Sequence, residues 1–388
     1  MTDQTLSTVY GCGSESDPIH ADDRTAGIQT ALSAYTERGG ALRLPCARYD
    51  ITDSIILDTS SLALLGDVWS CNTDPNGVFE PKHGTKIRMR GRDYPAIRVG
   101  VNVTPLSGTI VRDLGIQGDI PGMDTRPLVD WNAPAKASGL CLDSVRTDQC
   151  EFSKLSFCGL ANGICATGSA EIDACLFEKI NTDGCGNGVF FAPHASYYVR
   201  VRSCIIADNP YYGFYADGKG HHIHNLDVLD CHFVRNGGAF TDGDGHIPAA
   251  VLFDHISACS VTHCLFDDPG TFWYYEDTAT QNKERQPSHR KTTALYIIGD
   301  NNRIRDNTFL HSSADSIRVE GNRNILLSNI ADGNVRISGE GNTVASLVFS
   351  KPDARLILEG KAQSTTTLIG IDPDRVVRMD GNGSSTAK

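Results

Sequence analysis

Five cysteines stand in one frame along the middle of this 388-residue chain: Cys150 in DQCEF, Cys175 in DACLF, Cys204 in RSCII, Cys231 in LDCHF and Cys264 in THCLF. Asn307 in RDNTF and Asn329 in LSNIA then take the same slot. A frame that returns every ~20 to 45 residues marks a solenoid, whose units are each too small to bury an apolar face and must stack on their neighbours. Ahead of each slot lies a short strand opened by glycine or a small residue: SGLCL at 138, NGICA at 162, NGVFF at 187, YGFYA at 212, AAVLF at 249, TALYI at 293 and DSIRV at 315. Short β-rich units separated by turn residues, without helix-length periodicity, predict an all-β chain folded as a right-handed parallel β-helix, a single-stranded solenoid.

A solenoid grows without needing a boundary, so one elongated domain is expected. Asp22 or Asp23 is placed to cap a helix over about 24–37, which Gly39 and Gly40 end. The chain therefore divides into an N-terminal cap with its helix over 1–45, a β-helix over 46–379 and a polar, disordered tail over 380–388. Inserts interrupt the coils near 119–137, 235–248 and 267–292, and in repeat proteins such inserts form loops, often on the binding face.

The net charge of −12 gives no electrostatic footprint for nucleic acid or an anionic membrane. No apolar run reaches the ~18 residues of a membrane span, and the start MTDQTLSTVYGC lacks the charged and apolar regions of a signal peptide, so a cytoplasmic protein is expected. Thirteen cysteines in a large chain of this kind read as reduced thiols stacked in an inner turn, not as a disulfide framework. His222 and His224 share a strand face, but no third ligand stands at a metal spacing; neither a metal nor a cofactor is expected.

A strand alternates its faces, which sorts each coil. Leu140, Ile164, Val189, Phe214, Val251 and Leu295 form one inward row; Leu142, Ala166, Phe191, Ala216, Phe253 and Ile297 form the second. Between them, Cys141, Cys165, Phe190, Tyr215, Leu252 and Tyr296 form a column facing solvent, and Asp143, Thr167, Ala192, Asp217, Asp254 and Ile298 form the next. If the coils stack in register, Asp217 and Asp254 lie one strand spacing, about 4.8 Å, apart. Two carboxylates that close split their roles into acid and base or nucleophile. Phe190 and Tyr215 beside them offer aromatic surface for a sugar ring. Asp143 reads as a solvating residue.

Eight of the twelve histidines crowd the same middle coils: His194, His221, His222, His224, His232, His246, His255 and His263. His194 in APHAS and His222 in ADGKGHH follow outward strands and suit a general acid or base near neutral pH. His246 and, in the 267–292 insert, Trp273 and Glu276 are candidates for walling the substrate site, although that insert equally suits a subunit contact.

The opening DDRTAGIQ, GGALRLP and ARYDI resembles the start of pectate-lyase-superfamily β-helices and phage tailspike-like enzymes. LSGTIVRDLGIQGD, SGLCLDSVRTDQCEF and ALYIIGDNNRIRDNTF resemble the inulin fructotransferase family, collinearly over roughly 80–345. That resemblance implies a β-helix enzyme that cuts a fructose disaccharide from an inulin end by intramolecular transfer, giving a cyclic difructose anhydride, and a homotrimer with sites between subunits. The family's aspartate before the opening glycine of a central strand falls here on Tyr212, and its partner glutamate falls near His222 or Ile223. The departure implies a changed reaction or substrate, with Tyr212 left as a substrate contact. A shorter likeness is to mannuronan C5-epimerases, whose DPHE and GF-x-x-D motifs correspond to APHA and GFYAD, matching His194 and Asp217 but replacing both acids beside Pro-His with alanine.

The expected function is therefore cleavage or rearrangement of a glycosidic bond of an oligosaccharide, with Asp217 and Asp254 as acid and base or nucleophile, assisted by His194 and His222. Two other classes fit the same features. One is a uronate lyase or epimerase, or an isomerase or cyclase of a small intracellular metabolite. The other is a tailspike-like glycan-binding module.

Overall fold

A computed structural model describes residues 7–8, 23–67, 84–101, 105–119, 125–241, 243, 245–277, 282–286 and 291–379; the side chains of 127, 169 and 272–286 lie outside this description. The chain forms two compact units, Met1–His194 with Tyr274–Glu284, and Ala195–Trp273 with Arg285–Lys388. The expected tail over 380–388 lies outside the described residues.

In the first unit the helix Thr25–Ser33 is shorter than the expected 24–37 because residues 34–38 continue as turns to Gly39, at φ +67°. Asp23 accepts the Thr25 N–H at 2.9 Å and the Thr52 hydroxyl at 2.7 Å, tying the helix start to the first coil. Gln29 donates to the Ile56 carbonyl at 3.2 Å and accepts the Ile56 N–H at 2.9 Å, so the helix is bonded to the adjoining strand. Strands Ile55–Leu57, Ile97–Val99, Ser138–Leu142 and Asn162–Asp173 then pair in parallel, with Ile55, Ile97, Leu140 and Ile164 in register. Gly40–Arg43, Leu62–Leu65, Ile110–Gln117, Glu151–Cys158 and Leu176–Glu178 make a second parallel ladder.

In the second unit each coil but the last contributes three strands, and among the described residues the pairings between coils are parallel. Phe214–Asp217, Ala249–Ser257, Thr293–Asp300, Ile317–Glu320, Val335–Ser338, Leu356–Glu359 and Val376–Met379 form one ladder. Arg200–Arg202 through Thr367–Ile369 form another, and Ile205–Ala207 through Val348–Phe349 the third. Both inward rows read from the sequence are core, and none of their twelve members is more than 4 % exposed.

The cysteine slot is an inner turn. Cys204, Cys231 and Cys264 are at most 2 % exposed, and each thiol lies within 3.2–3.3 Å of the carbonyl two residues before it. Carbonyls there bend inward because the residue before the slot is left-handed: Ser203, Asp230, His263 and Asp306 have φ of 54°, 53°, 53° and 57°. Such a conformation costs a non-glycine residue about 1 kcal/mol or more, and stacking of the same turn on every coil offsets it.

Candidate functional site

Alternation along Phe214–Asp217 leaves Phe214 and Ala216 fully buried and turns Tyr215 and Asp217 outward, half-buried. The neighbouring strand repeats the pattern in register. Asp217 and Asp254 are Cα partners, as are Tyr215 and Leu252. Leu252 pairs on its other side with Tyr296, and it is only 2 % exposed between the two tyrosines. The face therefore presents a carboxylate pair beside two phenols over an aliphatic floor.

Its electrostatics follow from crowding. Burial, then the charges of Asp217 and Asp254 and a hydrogen bond donated to Asp217, push the Tyr215 phenol well above its ordinary value. The Lys219 N–H donates to Asp217 Oδ1 at 3.0 Å, so Asp217 is held from two sides. Burial and the bond from its hydroxyl to Glu320 likewise push Tyr296 up. Arg318 lies 4.9 Å from the Tyr296 ring centroid and donates to Glu320 at 2.7 Å. Both phenols therefore stand as neutral donors toward carboxylates.

One residue of this face escaped the strand-alternation argument. Strict alternation turns His255 inward and Ile256 outward, but Ile256 is 1 % exposed and His255 is exposed. The register jumps from Phe253 opposite Ile297 to Ile256 opposite Gly299, a β-bulge that leaves Asp254 and His255 together opposite one residue. His255 takes φ +55° there, and its Nδ1 lies 2.5 Å from Asp254 Oδ1. The signal was present in FDHIS, where apolar Ile256 falls out of phase.

The remaining candidates differ in exposure. Tyr212 is not a surface contact: it is 1 % exposed, donates to the Ile247 carbonyl at 3.0 Å and stacks on Tyr215 at 4.8 Å, so it backs the face from beneath. Phe190 is also corrected. It is 6 % exposed because Trp131 of the 119–137 insert packs against it at 6.0 Å. The same insert bonds to the coils through the Pro134 carbonyl, which accepts from Ser138 and Asn162 at 2.7 Å each, and Cys141 and Cys165 are wholly buried. An outward apolar column is covered because leaving it in water is unfavourable. Asp143 is paired with Arg98, whose Nε donates at 2.8 Å. His194 is exposed in the first unit. His222 is exposed in the second, its ring 6.2 Å from His224, whose Nδ1 is hydrogen-bonded to the Ser257 hydroxyl. His246 is half-buried, and the side chains of Trp273 and Glu276 lie outside the described residues. Among the described residues no group of three or more His, Cys, Asp or Glu is placed to hold a metal ion, and no helix is long and apolar enough to cross a membrane.

No family model and no curated protein matches this chain. Solved structures do. The DFA-IIIase of Arthrobacter chlorophenolicus A6 without its lid, in complex with GF2, superposes with a TM-score of 0.60 at 13 % identity, covering 93 % of this chain and 96 % of that one. A mutant of that enzyme in complex with DFA-III gives 0.59 at 14 % identity, over 92 % and 93 % of the two chains. Another structure of DFA-IIIase in complex with GF2 gives 0.58 at 14 %, over 92 % and 87 %. The protein is a right-handed parallel β-helix, as its repeat predicts. Its fold is the one seen in DFA-IIIase.

Proposed function

We propose that this protein is a carbohydrate-active enzyme that breaks or rearranges a glycosidic bond of an oligosaccharide on the face of Tyr215, Asp217 and Asp254. The register carries this reading: Asp217 and Asp254 are direct partners on successive coils, both outward. A pair at one strand spacing suits attack by an enzyme group or by the sugar's own hydroxyl, whereas water-mediated inversion needs carboxyl groups about 6.5–9.5 Å apart. In this reading Asp217 hands a proton to the leaving oxygen, and the Asp254 side removes one from the attacking hydroxyl. Tyr215 holds Asp217 and lends a ring face. The complexes of DFA-IIIase with GF2 and DFA-III support a sugar substrate for this fold.

A panel of fructo-, galacto- and uronic-acid oligosaccharides tests the assignment. Turnover of one of them is expected, lost in Asp217→Asn with the melting temperature within about 2 °C, because a half-buried polar residue is exchanged for its isostere. Full activity in that variant would sink the role given to Asp217.

A further inference from the structure

The geometry points to His255, acting through its Nε2, as the group that removes the proton from the attacking sugar hydroxyl, with Asp254 as its positioning residue. The inference rests on the reading of this face as the site and says which atom does the work there.

Asp254 and His255 share the bulge, and a bulge re-aims a side chain that regular alternation would bury. The position is built on the neighbouring coil: the Gly218 N–H donates to the Asp254 carbonyl at 2.7 Å, and a Cβ at Gly218 would sit 2.3 Å from the His255 carbonyl oxygen. Only a glycine at 218 allows that approach. The Asp254 side chain is 13 % exposed, while the imidazole bonded to it is 54 % exposed. Substrate arriving from solvent thus meets the ring before the carboxylate. A carboxylate against Nδ1 fixes the tautomer with hydrogen on Nδ1 and the lone pair on Nε2. Among the described residues Nε2 makes no hydrogen bond. The other carboxylates of the face are engaged, Asp217 by Tyr215 and the Lys219 N–H, Glu320 by Tyr296 and Arg318.

The step balances without a co-reactant. The hydroxyl O–H breaks and its proton goes to Nε2; the oxygen's electron pair forms the new bond to the anomeric carbon. The glycosidic C–O bond breaks, and the departing oxygen takes the proton of Asp217. The imidazolium, facing the Asp254 carboxylate, then returns its proton to Asp217 through solvent.

Two measurements on the full-length protein test this. In protein labelled with 15N-histidine, with His255→Gln used to assign the signal, the neutral His255 ring is expected in the Nδ1–H form and should move toward the Nε2–H form in Asp254→Asn. A wild-type ring in the Nε2–H form overturns the proposal whether or not a substrate is known. On the sugar that is turned over, His255→Gln should lower kcat at least 100-fold with KM within about threefold. If His255→Gln keeps full kcat while Asp217→Asn and Asp254→Asn lose it, the proposal fails and the face stands, with Asp254 acting directly. If Asp217→Asn also keeps full activity, the reading of the face falls with it.

Discussion

The carboxamide oxygen of Asn307 accepts the backbone N–H of Cys264 at 2.8 Å, joining the last cysteine of the slot to the first asparagine. The Asn307 amide donates in turn to the Val261 carbonyl at 2.9 Å and to Asn329 at 3.1 Å. Asparagine therefore accepts a backbone N–H and donates to a backbone carbonyl at full strength, where a thiol makes only weak hydrogen bonds. Asn307→Ala should cost about 2–4 kcal/mol in urea unfolding, since it strands a buried N–H and carbonyl. Cys231→Ala removes one sulfur and leaves the ladder, so about 1 kcal/mol is expected. Equal losses would show that the two residue types do the same work.

Trp131 closes the outward face of the first unit over Phe190. Trp131→Ala should destabilise by about 2–3 kcal/mol and raise binding of an apolar dye, because Phe190 and its neighbours meet water. An unchanged unfolding midpoint would mean that the insert merely rests on the coils.

Tyr215→Phe keeps the ring stacked on Tyr212 and deletes the donor to Asp217. Loss of one hydrogen bond to the acid predicts a fall in kcat of roughly 10-fold, with little change in melting temperature. A variant as active as wild type would detach Tyr215 from the chemistry.

Asp50, 6 % exposed, accepts from Arg88 at 2.9 and 2.8 Å and from Arg90 at 2.9 Å. Burial pushes its carboxyl up, but the hydrogen bonds and charges of Arg88 and Arg90 outweigh it and hold the group below the usual aspartate range. A carboxyl lowered by folding adds stability that is complete above its unfolded value and is lost as pH falls through the folded one. Unfolding followed from pH 7 downward should show a loss beginning below about pH 4. Asp50→Asn should flatten that acid limb and lower stability at pH 7. An unaltered limb would assign acid sensitivity to other carboxylates.

Of the described cysteines Cys46 is exposed and the others are buried. Burial pushes Cys185 and Cys259 up, so these thiols stay protonated. Brief labelling of native protein with a thiol reagent should mark Cys46 far faster than the slot cysteines, read by peptide mass. Comparable labelling of Cys204 or Cys231 would contradict the inner turn.

The sequence alone determined the coil frame, the two inward rows and the pairing of Asp217 with Asp254. These depend on a repeat and on alternation, both written locally, and parallel stacking carries them from coil to coil. Tertiary structure decided what happens on the outer surface. Phe190 reads as facing solvent, yet Trp131, distant in the chain, packs against it; Cys141 and Cys165, which read the same way, are wholly buried, and no local pattern records that burial. Tyr212 is buried for the same kind of reason, packed on Phe240 and bonded to Ile247. His255 faces water because a single-residue bulge breaks the alternation that would have buried it, and that bulge is fixed by the close approach of Gly218 from the neighbouring coil. The left-handed turns before the slot are occupied by serine, aspartate and histidine in place of glycine, so only the stacked coils reveal them. Local periodicity fixes which face a side chain takes wherever the strand is regular; bulges, and whether a face meets solvent, depend on contacts between residues distant in the chain.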